Sequence, residues 1–262
     1  MSNQLSGPLA NIRRGVQPRP PRIILCGPEK VGKSTFAAGA PEPIFLPIRG
    51  EEGIDSLDIA SFPPAQTWEE VCANLGSLQS AEHGFGALVI DSVSALEVLI
   101  HESIMREHGV TSLEKVLKGF GKWREESEKW WVYLTSALDA LRDRGMVIIL
   151  ITHNKIKKIN DPMVDPYDAY IIDLDDLAAR TLTRWADCIL FAGFQTILRK
   201  TDGGFNKEIV HAQGTGQRKL YTQARPAHPG GGRGIYGQLP YEIGLSWADF
   251  SRAIQAASER KQ

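Results

Sequence analysis

The chain's reading turns on one stretch, Arg22-Ile23-Ile24-Leu25-Cys26-Gly27-Pro28-Glu29-Lys30-Val31-Gly32-Lys33-Ser34-Thr35. Its first five residues are short, apolar and rich in β-branching, the pattern of a strand buried on both faces. The next eight match G-x-x-x-x-G-K-[ST]. Phe36, Ala37 and Ala38 then continue a helix that begins near Lys33. Strand, glycine-rich turn and helix, in that order, are the setting in which this pattern binds phosphate. Gly27 and Gly32 let backbone N–H groups curl around anionic oxygens. The helix N-terminus adds partial positive charge. Lys33 can reach the β- and γ-phosphates of a nucleotide, and Ser34 can hold Mg2+ through its hydroxyl. Gly27, Pro28, Glu29, Lys30, Val31, Gly32, Lys33, Ser34 and Thr35 are therefore the expected nucleotide-binding residues. The competing reading is a glycine-rich turn with an accidental lysine.

Outward from this stretch, apolar runs alternate with helical periodicity. Strands are expected at 43–46, 87–91, 146–151 and 186–192, with Pro47 ending or bending the first of these. Helices are expected over 66–83, 93–108 and 122–143. Trp123, Trp130, Trp131, Leu134, Leu138 and Leu141 make one apolar stripe on the last. It reads as core packing against a sheet rather than as a partner surface. Residues 155–178 break the pattern and read as a long loop or lid. The tail changes character, since eleven of the 25 glycines lie from Gly193 onward. Segments 195–200, 207–211 and 218–223 look like short strands joined by glycine turns. Gly230-Gly231-Gly232 reads as a flexible turn, and 246–257 as a closing helix. The expected fold class is α/β: a P-loop core with a mostly parallel sheet flanked by helices and antiparallel C-terminal strands. Residues 1–20, with Arg13, Arg14 and Arg19, read as a flexible arm. Residues 21–262 read as one domain, with a mobile loop at 155–180 and an antiparallel extension at 195–245.

Composition narrows the choice further. The 262 residues carry 30 Lys and Arg against 31 Asp and Glu, a formal net charge of -1, which excludes a histone-like or polybasic tail protein. A local basic patch can still sit inside a neutral total. Cys26, Cys72 and Cys188 are far apart and form no CxxC pair, so neither a disulfide framework nor a thiolate zinc site is expected. The start is polar and no run approaches 18 apolar residues, so no membrane span is expected. The simplest compartment is the cytoplasm.

A phosphate-binding loop also needs an acidic partner for magnesium. Asp91 ends an apolar strand and precedes Ser92, the Walker B pattern, although an aspartate there is also an ordinary helix cap. Ser34 and Asp91 are the expected metal ligands. Hydrolysis needs a group to orient and deprotonate water. Glu51 and Glu52 follow the second strand, which is expected to neighbour the P-loop strand and so to bring a carboxylate to the γ-phosphate. Glu52 is the first choice and Glu51 the second; a solvated acidic turn is the alternative. Thr152 and His153 end a strand and could sense the γ-phosphate, unless His153 is a hydrogen-bonded histidine at the sheet edge.

These features together resemble a known group. Gly27–Thr35, the Glu51-Glu52-Gly53-Ile54-Asp55-Ser56-Leu57 stretch, Thr67-Trp68-Glu69-Glu70-Val71, Leu88–Ser92, Ile151-Thr152-His153 and Arg184-Trp185-Ala186-Asp187 carry the resemblance. The chain resembles phage and prophage P-loop ATPases of the RecA/Rad51-like class, the Sak4-type single-strand annealing proteins, over roughly residues 20–255. The resemblance implies a RecA-like core that binds ATP and Mg2+, with a glutamate after the second strand activating water. It implies coupling from His153 to a mobile DNA-facing segment at 155–180, where Lys155, Lys157 and Lys158 are the candidate DNA contacts. It also implies a basic residue supplied by a neighbouring subunit, for which Arg218, Lys219 and Arg225 are candidates. Segment 155–180 holds four Lys and Arg against six Asp, however, and the similar proteins carry lysines near the positions of Asp175 and Asp176. A phosphate backbone prefers the opposite sign, so either DNA contacts only Lys155, Lys157 and Lys158 or its binding is weak or placed elsewhere, with the basic N-terminal arm and Arg218–Arg233 as the alternatives.

The leading expectation is a slow, DNA-stimulated ATPase of phage recombination or annealing, acting on single-stranded DNA in the host cytoplasm. It would be a homo-oligomer, with a single-strand-binding protein as a possible partner. The alternative is a nucleotide-switched scaffold with little turnover and no DNA role, which the acidic loop suits better. A small-molecule kinase ranks third, because no arginine-rich lid is evident.

Overall fold

The computed structural model describes residues 15, 18–51, 53–202 and 208–260, and for 196–202 and 208–215 the backbone alone. Glu52, Arg13 and Arg14 lie outside the described residues, as does most of the N-terminal arm. In chain order the elements are β1 (Arg22–Cys26), α1 (Lys33–Ala38), β2 (Pro43–Pro47), β3 (Ala60–Ser61), α2 (Trp68–Ser80) and β4 (Ala87–Asp91). They continue with α3 (Val93–Glu107), α4 (Trp123–Asp143), β5 (Val147–Thr152), β6 (Asn154–Ile159), β7 (Tyr167–Ile172) and α5 (Asp176–Trp185). The last are β8 (Cys188–Asp202), β9 (Glu208–Tyr221), β10 (Gly231–Gly232), β11 (Glu242–Gly244) and α6 (Trp247–Glu259).

The main sheet runs β11-β9-β8-β1-β5-β4-β2-β3, with β10 also paired to β8. Every pair from β8 through β1, β5, β4 and β2 to β3 is parallel, whereas β9, β10 and β11 join antiparallel. The expected fold class is met: a mostly parallel sheet flanked by helices, with antiparallel strands toward the C-terminus.

Strand alternation divides the core in two. Ile24, Leu88, Ile90, Ile148 and Leu150 face α2–α5, and the α4 stripe of Trp123, Trp131, Leu134, Leu138 and Leu141 packs with them. Ile23, Leu25, Val89, Ile149 and Ile151 face the other way, against Phe36 of α1 and Phe250 of α6. Burial on both faces is why these strands read as continuous apolar runs. The tryptophan-rich stripe is core, as expected, except that Trp130 is half-buried beside Trp68, ring centroids 5.3 Å apart.

The block Arg184–Asp187 acts in the same framework. Arg22 Nε and Nη2 donate to the two carboxylate oxygens of Asp187 at 3.0 and 2.8 Å, and Arg142 Nη2 pairs with Asp187 at 3.0 Å. Burial pushes the Asp187 carboxyl up, but the Arg22 fork outweighs it and holds the group below its usual value. The network ties the start of β1 to α4 and to the turn before β8.

Four expectations change. First, β2 does not neighbour β1; β4 and β5 lie between them. Second, residues 155–178 are not a loop. β6 and β7 form an antiparallel hairpin, and Asp175 caps α5 by accepting from Leu177 N–H. Third, of the segments expected as separate short strands, 195–200, 208–211 and 218–221 belong to two long strands, β8 and β9. Fourth, the Gly230–Gly232 run pairs with β8 rather than turning freely: Gly231 opposes Ile189 and Gly232 opposes Cys188. A Cβ on Gly232 would lie 2.5 Å from Tyr236 Cβ, so the close approach requires glycine. Pro47 is the last residue of β2, and its carbonyl still accepts from Ala65 N–H at 2.9 Å. Among the described residues no helix is long and apolar enough to cross a membrane.

Candidate nucleotide site

The carboxyl ends of β1, β4 and β5 open onto a cleft of about 700 Å³, lined by the P-loop and by Glu51, Asp91 and His153. Gly27 leaves β1 so close to β8 that a Cβ would sit 2.3 Å from the Ala192 carbonyl oxygen. Gly32 caps α1 with φ 107°, a left-handed conformation that glycine adopts at no steric cost. Because α1 spans only six residues, its dipole is short, and the loop's own N–H groups and Lys33 dominate the field.

Lys33 is 6% exposed. Its Nζ donates to the Gly27 and Pro28 carbonyls, each at 2.8 Å. Burial pulls the ammonium's pKa down, and Asp91 opposes that. A buried cation whose hydrogen bonds go to two backbone carbonyls is poised for a polyanion. Ser34 Oγ donates to Asp91 Oδ2 at 2.6 Å. Asp91 is almost wholly buried; burial raises its carboxyl pKa, with Ser34 opposing and the nearby Glu51 charge adding to the rise. One hydroxyl and one carboxylate side by side fit Mg2+, which keeps several waters and takes its remaining ligands from substrate phosphates.

Glu51 reaches the cleft by a different route from the one expected. The chain leaving β2 crosses the end of β4, where Ile48 N–H donates to the Asp91 carbonyl at 2.8 Å, and Glu51 N–H then donates to the Ile48 carbonyl at 3.1 Å. That turn swings the loop back over β4 toward the P-loop, so that a Cβ on Gly53 would lie 3.7 Å from Ser34 Oγ. Glu51 Oε1 accepts from Ser92 Oγ at 2.5 Å and pairs with His153 Nε2 at 2.9 Å. The His153 bond holds the Glu51 carboxyl below its usual value against the effect of burial, and the same bond raises the His153 imidazole. Ser94 Oγ accepts from His153 N–H at 3.1 Å, fixing the end of β5 to α3. Among the described residues, His153 Nδ1 and Asn154 Oδ1 are buried without a hydrogen-bond partner.

The other sequence candidates divide. Arg218 lines the cleft of its own chain. Lys219 pairs with Glu242 at 3.1 Å, and Arg225 lies 4.4 Å over the Tyr241 ring, so both are engaged within the chain. On the hairpin, Lys155 Nζ donates to the Leu174 carbonyl and pairs with Asp173, Lys157 pairs with Asp176, and Lys158 is exposed.

One feature escaped sequence reasoning. Leu117, Lys118, Gly119, Phe120 and Gly121 all have positive φ, and Phe120 is 97% exposed. Lys115, Lys118 and Lys122 around it are exposed. Arg124 Nε donates to Asp175 Oδ2 at 2.9 Å, which sets this turn beside the base of the β6–β7 hairpin. The only sequence signal was a phenylalanine between two glycines among lysines.

A family profile described as an AAA domain matches residues 19–234. No curated protein sequence matches the chain. Among solved structures, the RadB recombinase aligns over 78% of this chain and 80% of its own, at 15% identity and a TM-score of 0.40. The flagellar accessory protein FlaH from Methanocaldococcus jannaschii aligns over 86% and 84%, at 13% identity and a TM-score of 0.40.

Proposed function

The chain belongs to the AAA-domain family of P-loop proteins, and from that premise we propose that it is a slow Mg2+-dependent ATPase that acts on single-stranded DNA. One observation carries the catalytic part: Lys33, the Ser34–Asp91 pair and the Glu51–His153 pair converge on one cleft. Lys33 and the P-loop N–H groups bind the β- and γ-phosphates, with Ser34 and Asp91 holding Mg2+. When bound, Mg2+ neutralises charge on the phosphate oxygens. Glu51, kept ionised by His153, orients the attacking water and takes its proton. Glu51 stands in this role because its carboxylate lies in the cleft.

The DNA part is supported by the turn around Phe120. An exposed aromatic ring with exposed lysines before and after it in the chain suits a stacked base and its phosphate. The reading as a nucleotide-switched scaffold is favoured by a different observation, the pairing of Lys155 and Lys157 with Asp173 and Asp176. The test is steady-state phosphate release from ATP with Mg2+, with and without single-stranded DNA, beside a Lys33→Ala control. Stimulation by DNA that vanishes in the control supports the ATPase reading. Tight ATP binding with negligible turnover and no DNA effect selects the scaffold.

A further inference from the structure

We propose that Arg218 is a nucleotide-binding cation acting in the cleft of its own chain, where it grips the polyphosphate from the β9 side. This rests on the reading of the cleft as a nucleotide site. Three observations meet at this residue. Its side chain lies across the P-loop: Nη1 is 3.2 Å, and Cδ 3.9 Å, from the position a Cβ on Gly32 would take. It lines the same cleft as Lys33, Ser34 and Asp91.

The second observation is a bulge that re-aims it. Phe194 pairs with Arg218 and Thr196 with Gly214, so that Thr215, Gly216 and Gln217 of β9 oppose Gln195 alone. Gly216 has φ 74°, the left-handed conformation that lets the extra residues loop out. A bulge bends its strand and changes where the adjoining side chains point. Here it adjoins the residue that reaches the P-loop.

The third is the charge balance. Lys219, next along β9, is neutralised by Glu242 at 3.1 Å. Arg218 is exposed, and among the described residues no carboxylate lies within ion-pair distance of it. Its fork of donors matches phosphate oxygens. The chemistry recognised is a di- or triphosphate, since the fork adds to a site whose other cation is Lys33.

The experiment titrates the full chain with fluorescently labelled ATP and ADP in Mg2+. Arg218→Gln should bind both about tenfold more weakly or worse, and Arg218→Lys should recover part of the loss. The salt dependence of binding should flatten in Arg218→Gln, a change that a purely structural role does not produce. A second arm measures phosphate release from an equimolar mixture of Arg218→Gln and Lys33→Ala chains. Action within one chain predicts no more than the mean of the two alone. Unchanged affinity in Arg218→Gln, or recovered hydrolysis in the mixture, overturns the proposal. Wild-type protein that binds no nucleotide, or Lys33→Ala that binds as wild type does, overturns the parent reading and this one with it.

Discussion

At Gly27 there is no room for a side chain. A methyl group there would press on the Ala192 carbonyl, a backbone atom that moves only if β8 moves. Gly27→Ala should therefore destabilise the fold by about 2 kcal/mol or more, read as a lower urea midpoint. Equal midpoints would mean that β1 and β8 separate cheaply. The Glu51–His153 pair makes a pH prediction. His153 titrates above its ordinary 6.5, so its contribution is complete below that value and is lost as pH rises through the raised pKa. Glu51 titrates below its ordinary 4.5, so its contribution is complete above that value and is lost as pH falls through the depressed pKa. The pair is thus worth most between those ordinary values. The stability gap between wild type and Glu51→Gln should be widest near about pH 5–6 and should shrink toward pH 9. In the variant, the His153 ring signals in NMR should titrate nearer the ordinary value. The P-loop was legible at this scale because its chemistry is local in sequence. The placement of Glu51 was not, because it depends on a hydrogen bond from Ile48 across to the end of β4.

Elements were legible where one period dominated. The apolar runs of β1, β4 and β5 and the stripe of α4 needed no tertiary information. The β6–β7 hairpin was missed because β6 is half charged: Lys155, Lys157 and Lys158 hide the strand pattern, and Asp173, Asp175 and Asp176 are a cap and ion-pair partners rather than a solvated run. The turn at 117–121 was missed because no pattern encodes successive left-handed residues. Leu117, Lys118 and Phe120 each cost on the order of 1 kcal/mol in that conformation. A strained turn that exposes an aromatic ring is expected to do something with it. If that is base stacking, Phe120→Ala should weaken single-stranded DNA binding by about 1–3 kcal/mol while ATP affinity stays unchanged. Fluorescence anisotropy with a labelled oligothymidine measures the first and nucleotide titration the second. Full DNA affinity in the variant would move the DNA surface elsewhere.

Across the whole molecule, stability is divided between two cores, one on each face of a shared sheet. Trp131 is fully buried in the larger of them, whereas Trp130 sits at its margin. Trp131→Ala should cost about 3–5 kcal/mol, and Trp130→Ala distinctly less, in chemical denaturation. Equal losses would mean that the margin is as tightly packed as the centre. The order of the strands could not be read from the sequence. Only the structure reveals that β1, first in the chain, is flanked by β5 and β8, which lie far along it. That arrangement has a consequence for synthesis. A ribosome releases Arg22 long before Asp187, the partner 165 positions further on. Until β5 emerges, Ile23–Cys26 has no strand to pair with and the cleft lacks His153, so the nucleotide cannot stabilise the nascent chain. Over that stretch only a chaperone that shelters apolar strands can act on it, and the other edge of β1 stays open until β8 emerges.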